Sequence, residues 1–162
     1  MATYATGNWS FELVTAPFVY NRRVEFCETD AAGIAHFSAF LCYMEQAEHA
    51  LLRHVGTSVS TDIGDGWHLS WPRVHVECDY RGAARFEDCL SIEVSVVKLG
   101  QKSVTYAFSF KLSNESIAVG KVTAVCCKVH RGHPLQSTLI PNDLREKLAV
   151  FCVDERSRPD QP

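Results

Sequence analysis

One run in this chain cannot bury itself without help. Phe37, Phe40, Leu41, Met44, Ala47, Leu51, Leu52 and Val55 recur at three- and four-residue steps. That spacing makes a single apolar stripe on a helix of about five turns, and Gly56 supplies the stop signal. Residues 57–66, rich in Ser, Thr, Asp and Gly, read as a loop. Beyond it the period falls to two. Val74, Val76, Cys78 and Tyr80 share one side of a strand, Leu90, Ile92, Val94 and Val96 one side of the next, and Val104, Tyr106, Phe108, Phe110 and Leu112 one side of a third. A fourth, Ile117 to about Val129, is apolar on both sides, as expected of a strand covered on two faces. Another strand precedes the helix, Phe18 to Glu28, and Pro141 can open a short helix to about Leu148. The stripe needs an apolar surface, and the alternating strands offer the only sufficient one. The expected architecture is therefore α+β, a five-stranded antiparallel sheet curled around one long central helix. The other sheet face, rich in Ser and Thr, is expected to be solvated or to form a subunit contact.

The 162 residues fit one domain. The pattern occupies residues 17–150, with an irregular N-terminal extension over 1–16 and a disordered tail over 151–162. A net charge of −3 gives no strong basic field for nucleic acid or an anionic membrane. The seven cysteines are scattered and suggest no disulfide framework, so they read as reduced, mostly buried side chains of a cytoplasmic protein. The first residues lack a basic start and a long apolar run, unlike a secretory signal, and no stretch approaches the roughly 20 apolar residues of a membrane span. Cys126, Cys127, His130 and His133 mix possible metal ligands. Adjacent strand residues point to opposite faces, so no metal site is expected there. There is no Walker loop, dinucleotide fingerprint or G-x-S-x-G elbow, and no cofactor is expected.

The stretch from Thr29 to Phe37, TDAAGIAHF, puts one carboxylate and one glycine just ahead of the long helix. Asp30 there suits a helix cap or an Asx-turn. It also belongs to a longer pattern: Thr29, Asp30, Gly33 and Ile34, then Phe40 and Leu41, then Glu45 and Ala47. A second segment reads Asp79, Tyr80, Ala83, Ala84, Arg85 and Asp88, with Ala83 where the pattern has proline. On these residues the chain resembles the 4-hydroxybenzoyl-CoA thioesterase-like family of hotdog-fold acyl-CoA thioesterases, over roughly residues 18–148. The resemblance implies a hotdog domain acting on an acyl-CoA. It implies Asp30 as the catalytic carboxylate and the backbone N–H of Phe37 as the donor polarising the thioester carbonyl. It further implies a homodimer or homotetramer with the active site where subunits meet.

The chemistry is coherent on its own terms. Thioester hydrolysis needs an attacking oxygen and donors for the charge that develops on the carbonyl oxygen. A helix start exposes N–H groups without internal partners and carries partial positive charge. Gly33 lets the loop bend back toward that start. Asp30 is then either a nucleophile that forms a mixed anhydride or a general base for water. His36 can touch the thioester, line the pocket or be an ordinary first-turn side chain, and Glu45 can orient water or a neighbouring subunit's group or remain a solvated or hydrogen-bonded acid. Glu48 falls near the centre of the stripe, where an unpaired charge is costly, so either it has a partner or the wheel is slightly misphased; the second reading is preferred. Arg81, Arg85, Lys128 and Arg131 are candidate contacts to CoA phosphates, and Trp67, His68 and Trp71 a candidate acyl-pocket wall. The competing readings are a hydratase on the same scaffold, a non-catalytic acyl-CoA-binding protein and an acyl-ACP thioesterase.

Overall fold

The stripe forms one helix, α1 (Phe37–His54), in a computed structural model that describes residues 16–153. Ahead of it lies β1 (Phe18–Arg23); after it come β2 (Ser60–Gly64), β3 (Trp67–Ser70), β4 (Arg73–Tyr80), β5 (Cys89–Leu99), β6 (Ser103–Leu112), β7 (Glu115–Val125), β8 (Cys127–Val129), β9 (Gln136–Ser137) and α2 (Asn142–Ala149). The main sheet has five strands in the order β1-β5-β6-β7-β4, antiparallel throughout. The expected alternation fills its core: Ile92, Val94, Tyr106, Phe108, Phe110, Ala118 and Val122 are buried with Phe40, Tyr43, Met44, Ala47 and Leu51 of α1.

α1 lies very close to the sheet at Gly120. A Cβ there would meet the Met44 sulfur at 2.5 Å and the Glu77 carbonyl oxygen at 3.0 Å. The methionine tip can yield, but the backbone of β4 cannot. Gly120→Val should therefore lower stability by about 2 kcal/mol, in the range of other overpacking changes, read as a fall in the urea midpoint. A midpoint equal to that of the wild type would show that the helix is not seated on this glycine.

The structure departs from the sequence pattern in four places. The first expected strand ends at Arg23 rather than Glu28, because Val24 turns to pair with Glu87 and Asp88 and the chain then makes a 3₁₀ turn over Phe26–Glu28. The expected loop 57–66 contains β2, which with β3, β8 and β9 makes a second, four-stranded sheet. Its hairpin tip is built from left-handed residues Gly64, Asp65 and Gly66, and its exposed polar strand has no apolar face to reveal it. The expected strand from Ile117 to Val129 changes sheets at Cys126, whose N–H bonds to Lys102 while its carbonyl accepts from Thr138. So the fold is more than one sheet and one long helix. The expected disordered tail also begins too early: residues 151–153 run beside Val96, exchanging backbone hydrogen bonds of 2.9 and 3.0 Å, and Phe151 packs edge-on against Phe18. The expectations for residues 1–15 and 154–162 lie outside the described residues. No described helix is long and apolar enough to cross a membrane.

Candidate active site

The loop ahead of α1 is a small closed structure. Asp30 N–H donates to the Ile34 carbonyl and Gly33 N–H to the Asp30 carbonyl, both at 2.9 Å, with Thr29 and Ala35 bridged antiparallel. Gly33 sits at φ +72°, a conformation that favours glycine, as the sequence suggested. The Asp30 carboxylate accepts the Ala32 N–H at 2.8 Å, an Asx-turn, so the structural reading of this residue is realised. Among the described residues that is its one hydrogen bond, and its second oxygen is not engaged.

His36 is the N-cap of α1. Its Nδ1 accepts from Ser38 N–H at 3.3 Å and lies 2.7 Å from Ser38 Oγ, while its ring leans on Phe37. The Phe37 N–H opens the helix and has no intrahelical acceptor by construction; among the described residues nothing else takes it.

Two sets of contacts hold this loop. On one side Glu28 acts as a knot: its carbonyl accepts His36 N–H at 2.8 Å, one carboxylate oxygen pairs with Arg22, and the other accepts the Tyr43 hydroxyl at 2.8 Å. Arg22 also lies over the Tyr43 ring, 4.4 Å from its centre. Burial, then the Glu28 contact, pushes the Tyr43 hydroxyl well above the usual phenol range, so it remains a donor. On the other side the Asp79–Asp88 segment closes over the loop. Ala35 N–H donates to Ala84, Ile34 bridges Arg85, and the Tyr80 hydroxyl donates to the Phe37 carbonyl at 2.9 Å. Asp88 shapes that segment by accepting Arg85 N–H at 2.7 Å. The two sequence motifs are thus one structural unit.

Asp30, Gly33, His36, Phe37 and Arg85 come together; Arg81 lies at the end of β4, in the turn leading into the same segment, its N–H bonded to Ile117. Glu45 does not join them. It is half-exposed two turns along α1, in an ion pair with Arg73 at 3.9 Å. Lys128 and Arg131 belong to β8 and the turn after it. Trp71 is a core residue, Trp67 packs at a tilt against His130 and His133, and His68 is exposed.

The misphasing of Glu48 is a correction. Its side chain is 1% exposed, and Arg73 Nη2 donates to it at 3.0 Å. Burial outweighs Arg73 and raises Glu48 to about 7. Burial, then Arg73, lowers His49, leaving a neutral imidazole Nε2 to accept from the same guanidinium at 3.0 Å. The partner stands on another element, 25 residues away, so a helical wheel cannot show it. Sequence reasoning also missed Glu28 and Arg22. The sole signal for them was their place on the short segment leading into the loop.

The surroundings of the loop are aromatic and open. Phe26, Phe37 and Phe86 are 74%, 62% and 46% exposed, and Phe26 meets Phe86 edge-to-face at 5.8 Å. A long helix with a carboxylate loop at its N-terminus is thus laid on one face of an antiparallel sheet.

The model of the thioesterase-like superfamily matches residues 24–148, and the chain belongs to that superfamily. A protein of Aquifex aeolicus that carries a provisional esterase name is 33% identical over 134 residues, spanning 82% of this chain and 98% of its own. A 1,4-dihydroxy-2-naphthoyl-CoA hydrolase of Synechococcus elongatus is 24% identical over 135 residues, spanning 83% and 97%. The solved structure of a gentisyl-coenzyme A thioesterase superposes with a TM-score of 0.70 at 27% identity, covering 81% of this chain and 99% of that one.

Proposed function

We propose that this protein hydrolyses an aryl-CoA thioester to the free acid and CoA, with Asp30 and the Phe37 N–H as the reacting and polarising groups. The observation that carries the reading is the closed loop: on one hydrogen-bonded unit it holds a carboxylate oxygen and a helix-start N–H that have no partner among the described residues. The thioester carbonyl oxygen takes the Phe37 N–H, so negative charge developing there meets a preorganised donor at the positive end of the helix. As nucleophile, the Asp30 carboxylate forms a C–O bond to the acyl carbon while the C–S bond breaks. The CoA sulfur leaves as thiolate and takes a proton from solvent, and water then opens the anhydride. As general base, Asp30 takes a proton from the water that attacks the same carbon. Arg85 and Arg81, exposed at the rim, suit the CoA phosphates.

Two things support an aryl substrate: the exposed Phe26, Phe37 and Phe86 around the loop, and the aromatic acyl groups in the names of the naphthoyl-CoA and gentisyl-CoA relatives. A homodimer with the site at the subunit boundary is part of the proposal. Its support is the edge strand β4, where Val74, Val76 and Tyr80 are 63%, 45% and 46% exposed although the strand's other edge pairs with β7 along its length, apart from a bulge at Val74. Such an edge invites pairing with a second copy.

The test is thiol release from a panel of aryl-, short-chain and long-chain acyl-CoAs, with sedimentation of the same preparation. Aryl-CoA should be cleaved at least about 10-fold more efficiently than straight-chain esters, a modest discrimination for pocket contacts alone, by a species no smaller than a dimer. Preference for straight chains would overturn the aryl assignment. Tight binding without thiol release would make the protein a binder rather than a hydrolase, and an active monomer would exclude the shared site.

A further inference from the structure

The peptide that carries the Phe37 N–H is held from both ends. Before it, His36 N–H donates to the Glu28 carbonyl at 2.8 Å; after it, the Phe37 carbonyl accepts the Tyr80 hydroxyl at 2.9 Å. The first tether is local, from the segment leading into the loop. The second comes from the last residue of the edge strand β4, 43 positions along the chain. From this pair of tethers we infer that Tyr80 is a positioning residue, its hydroxyl fixing the first turn of α1 so that the Phe37 N–H points at the substrate carbonyl.

Three further observations fit that role. The Phe37 carbonyl, as the first of α1, already accepts an ordinary helical bond, so the phenol is not needed to satisfy a helix-end group. The Tyr80 ring packs edge-on against Phe40 at 5.3 Å, and Phe40 in turn packs on Phe110 at 5.2 Å, so the phenol is braced by the core. Although the residue as a whole is 46% exposed, desolvation of the hydroxyl itself, then Cys78, pushes it up to about 12, so it stays protonated and donating over the working range of a hydrolase. The partner groups facing the hydroxyl are Cys78 on its own strand and the Phe37 carbonyl on α1. Donor placement matters steeply in such sites, where an offset of about 1 Å can cost about 100-fold in rate. Because β4 is one of the two edge strands of the main sheet, the same hydroxyl would also tie the geometry of the N–H to whatever pairs with that edge.

The inference rests on the thioesterase reading, and the experiment separates the two. Tyr80→Phe keeps the ring and its packing and deletes the one donor. It should lower kcat about 10-fold with KM within about 2-fold of wild type, because the N–H is needed most when charge builds on the oxygen. The urea midpoint should not move, and amide exchange at Phe37–Leu41 should quicken while the middle of α1 keeps its protection. Full turnover in Tyr80→Phe beside a crippled Asp30→Asn would overturn the role of Tyr80 alone. A drop in kcat matched by a lower urea midpoint would reduce Tyr80 to a structural contact and overturn it too. Absence of thiol release by the wild type would overturn the reading underneath, and the positioning role of Tyr80 with it.

Discussion

Asp30→Asn should release thiol at least about 100-fold more slowly than the wild type, with the fold and the affinity for acyl-CoA retained. The expectation is clean because of what asparagine keeps. The Asx-turn uses one carboxylate oxygen, which accepts Ala32 N–H at 2.8 Å, and an amide oxygen can accept the same bond. The loop hydrogen bonds from Asp30 N–H and Gly33 N–H involve only backbone. Asparagine therefore leaves the loop in place and removes only the anionic oxygen. Neither mechanism survives that loss: an amide is a poor nucleophile toward a thioester and does not take a proton from water at neutral pH. Asp30→Ala, which deletes the turn as well, should be no slower than Asp30→Asn if charge is what matters. Stopped or steady-state thiol assays with a matched near-ultraviolet circular dichroism spectrum decide it. Wild-type turnover in Asp30→Asn would leave this aspartate a turn residue and nothing more.

The second large effect lies along α1, away from the loop. Glu48 is buried, and its ionisation is raised from the ordinary 4.5 to about 7. The unfolded chain releases that proton first. The stability contributed by the neutral form is therefore complete below about pH 4.5 and declines as pH rises through about 7. A shift of that size corresponds to up to about 3 kcal/mol across the window. Urea unfolding at pH 5 and pH 8 should show the decline, and Glu48→Gln should flatten this part of the profile. Arg73→Met should be far more harmful at pH 8, by about 3–5 kcal/mol, because it strands the carboxylate without its guanidinium. At pH 5 the cost should shrink, since the acid can take up a proton. Equal costs at both pH values would mean that Glu48 is not charged in the folded protein. The groups that set this balance are Arg73 from β4 and Glu45 from α1; His49 shares the same guanidinium, and the Tyr106 hydroxyl from β6 is itself raised by burial and by Glu48. Glu48 Oε1 and the Tyr106 hydroxyl are both buried without a partner among the described residues, which is consistent with a carboxyl that is costly to ionise.

Much of the candidate site was readable because its parts are close in sequence. Asp30, Gly33, His36 and Phe37 span one turn and one helix start, and local hydrogen-bond rules fix how such residues face each other. The motif from Asp79 to Asp88 was readable as a pattern but not as a lid; only folding brings Ala84 to Ala35 and Tyr80 to Phe37. Glu45, read as a candidate site residue, lies two turns along α1 in an ion pair with Arg73, a contact the sequence did not reveal. A helical wheel gives the direction of a side chain around its own axis and says nothing of the element opposite.

The chain by itself determined the period of α1 and of the central strands β5, β6 and β7, and with it the burial of a helix on an antiparallel sheet. It also determined the carboxylate loop, because turn chemistry and helix capping act over a few residues. Only the tertiary structure decided where the last long strand changes sheets at Cys126, which guanidinium meets Glu48, and which hydroxyl reaches Phe37. The reason is one of range. Periodicity records how a residue faces a surface, whereas a partner dozens of residues away is chosen by how the closed chain packs, and that choice leaves no trace in local order.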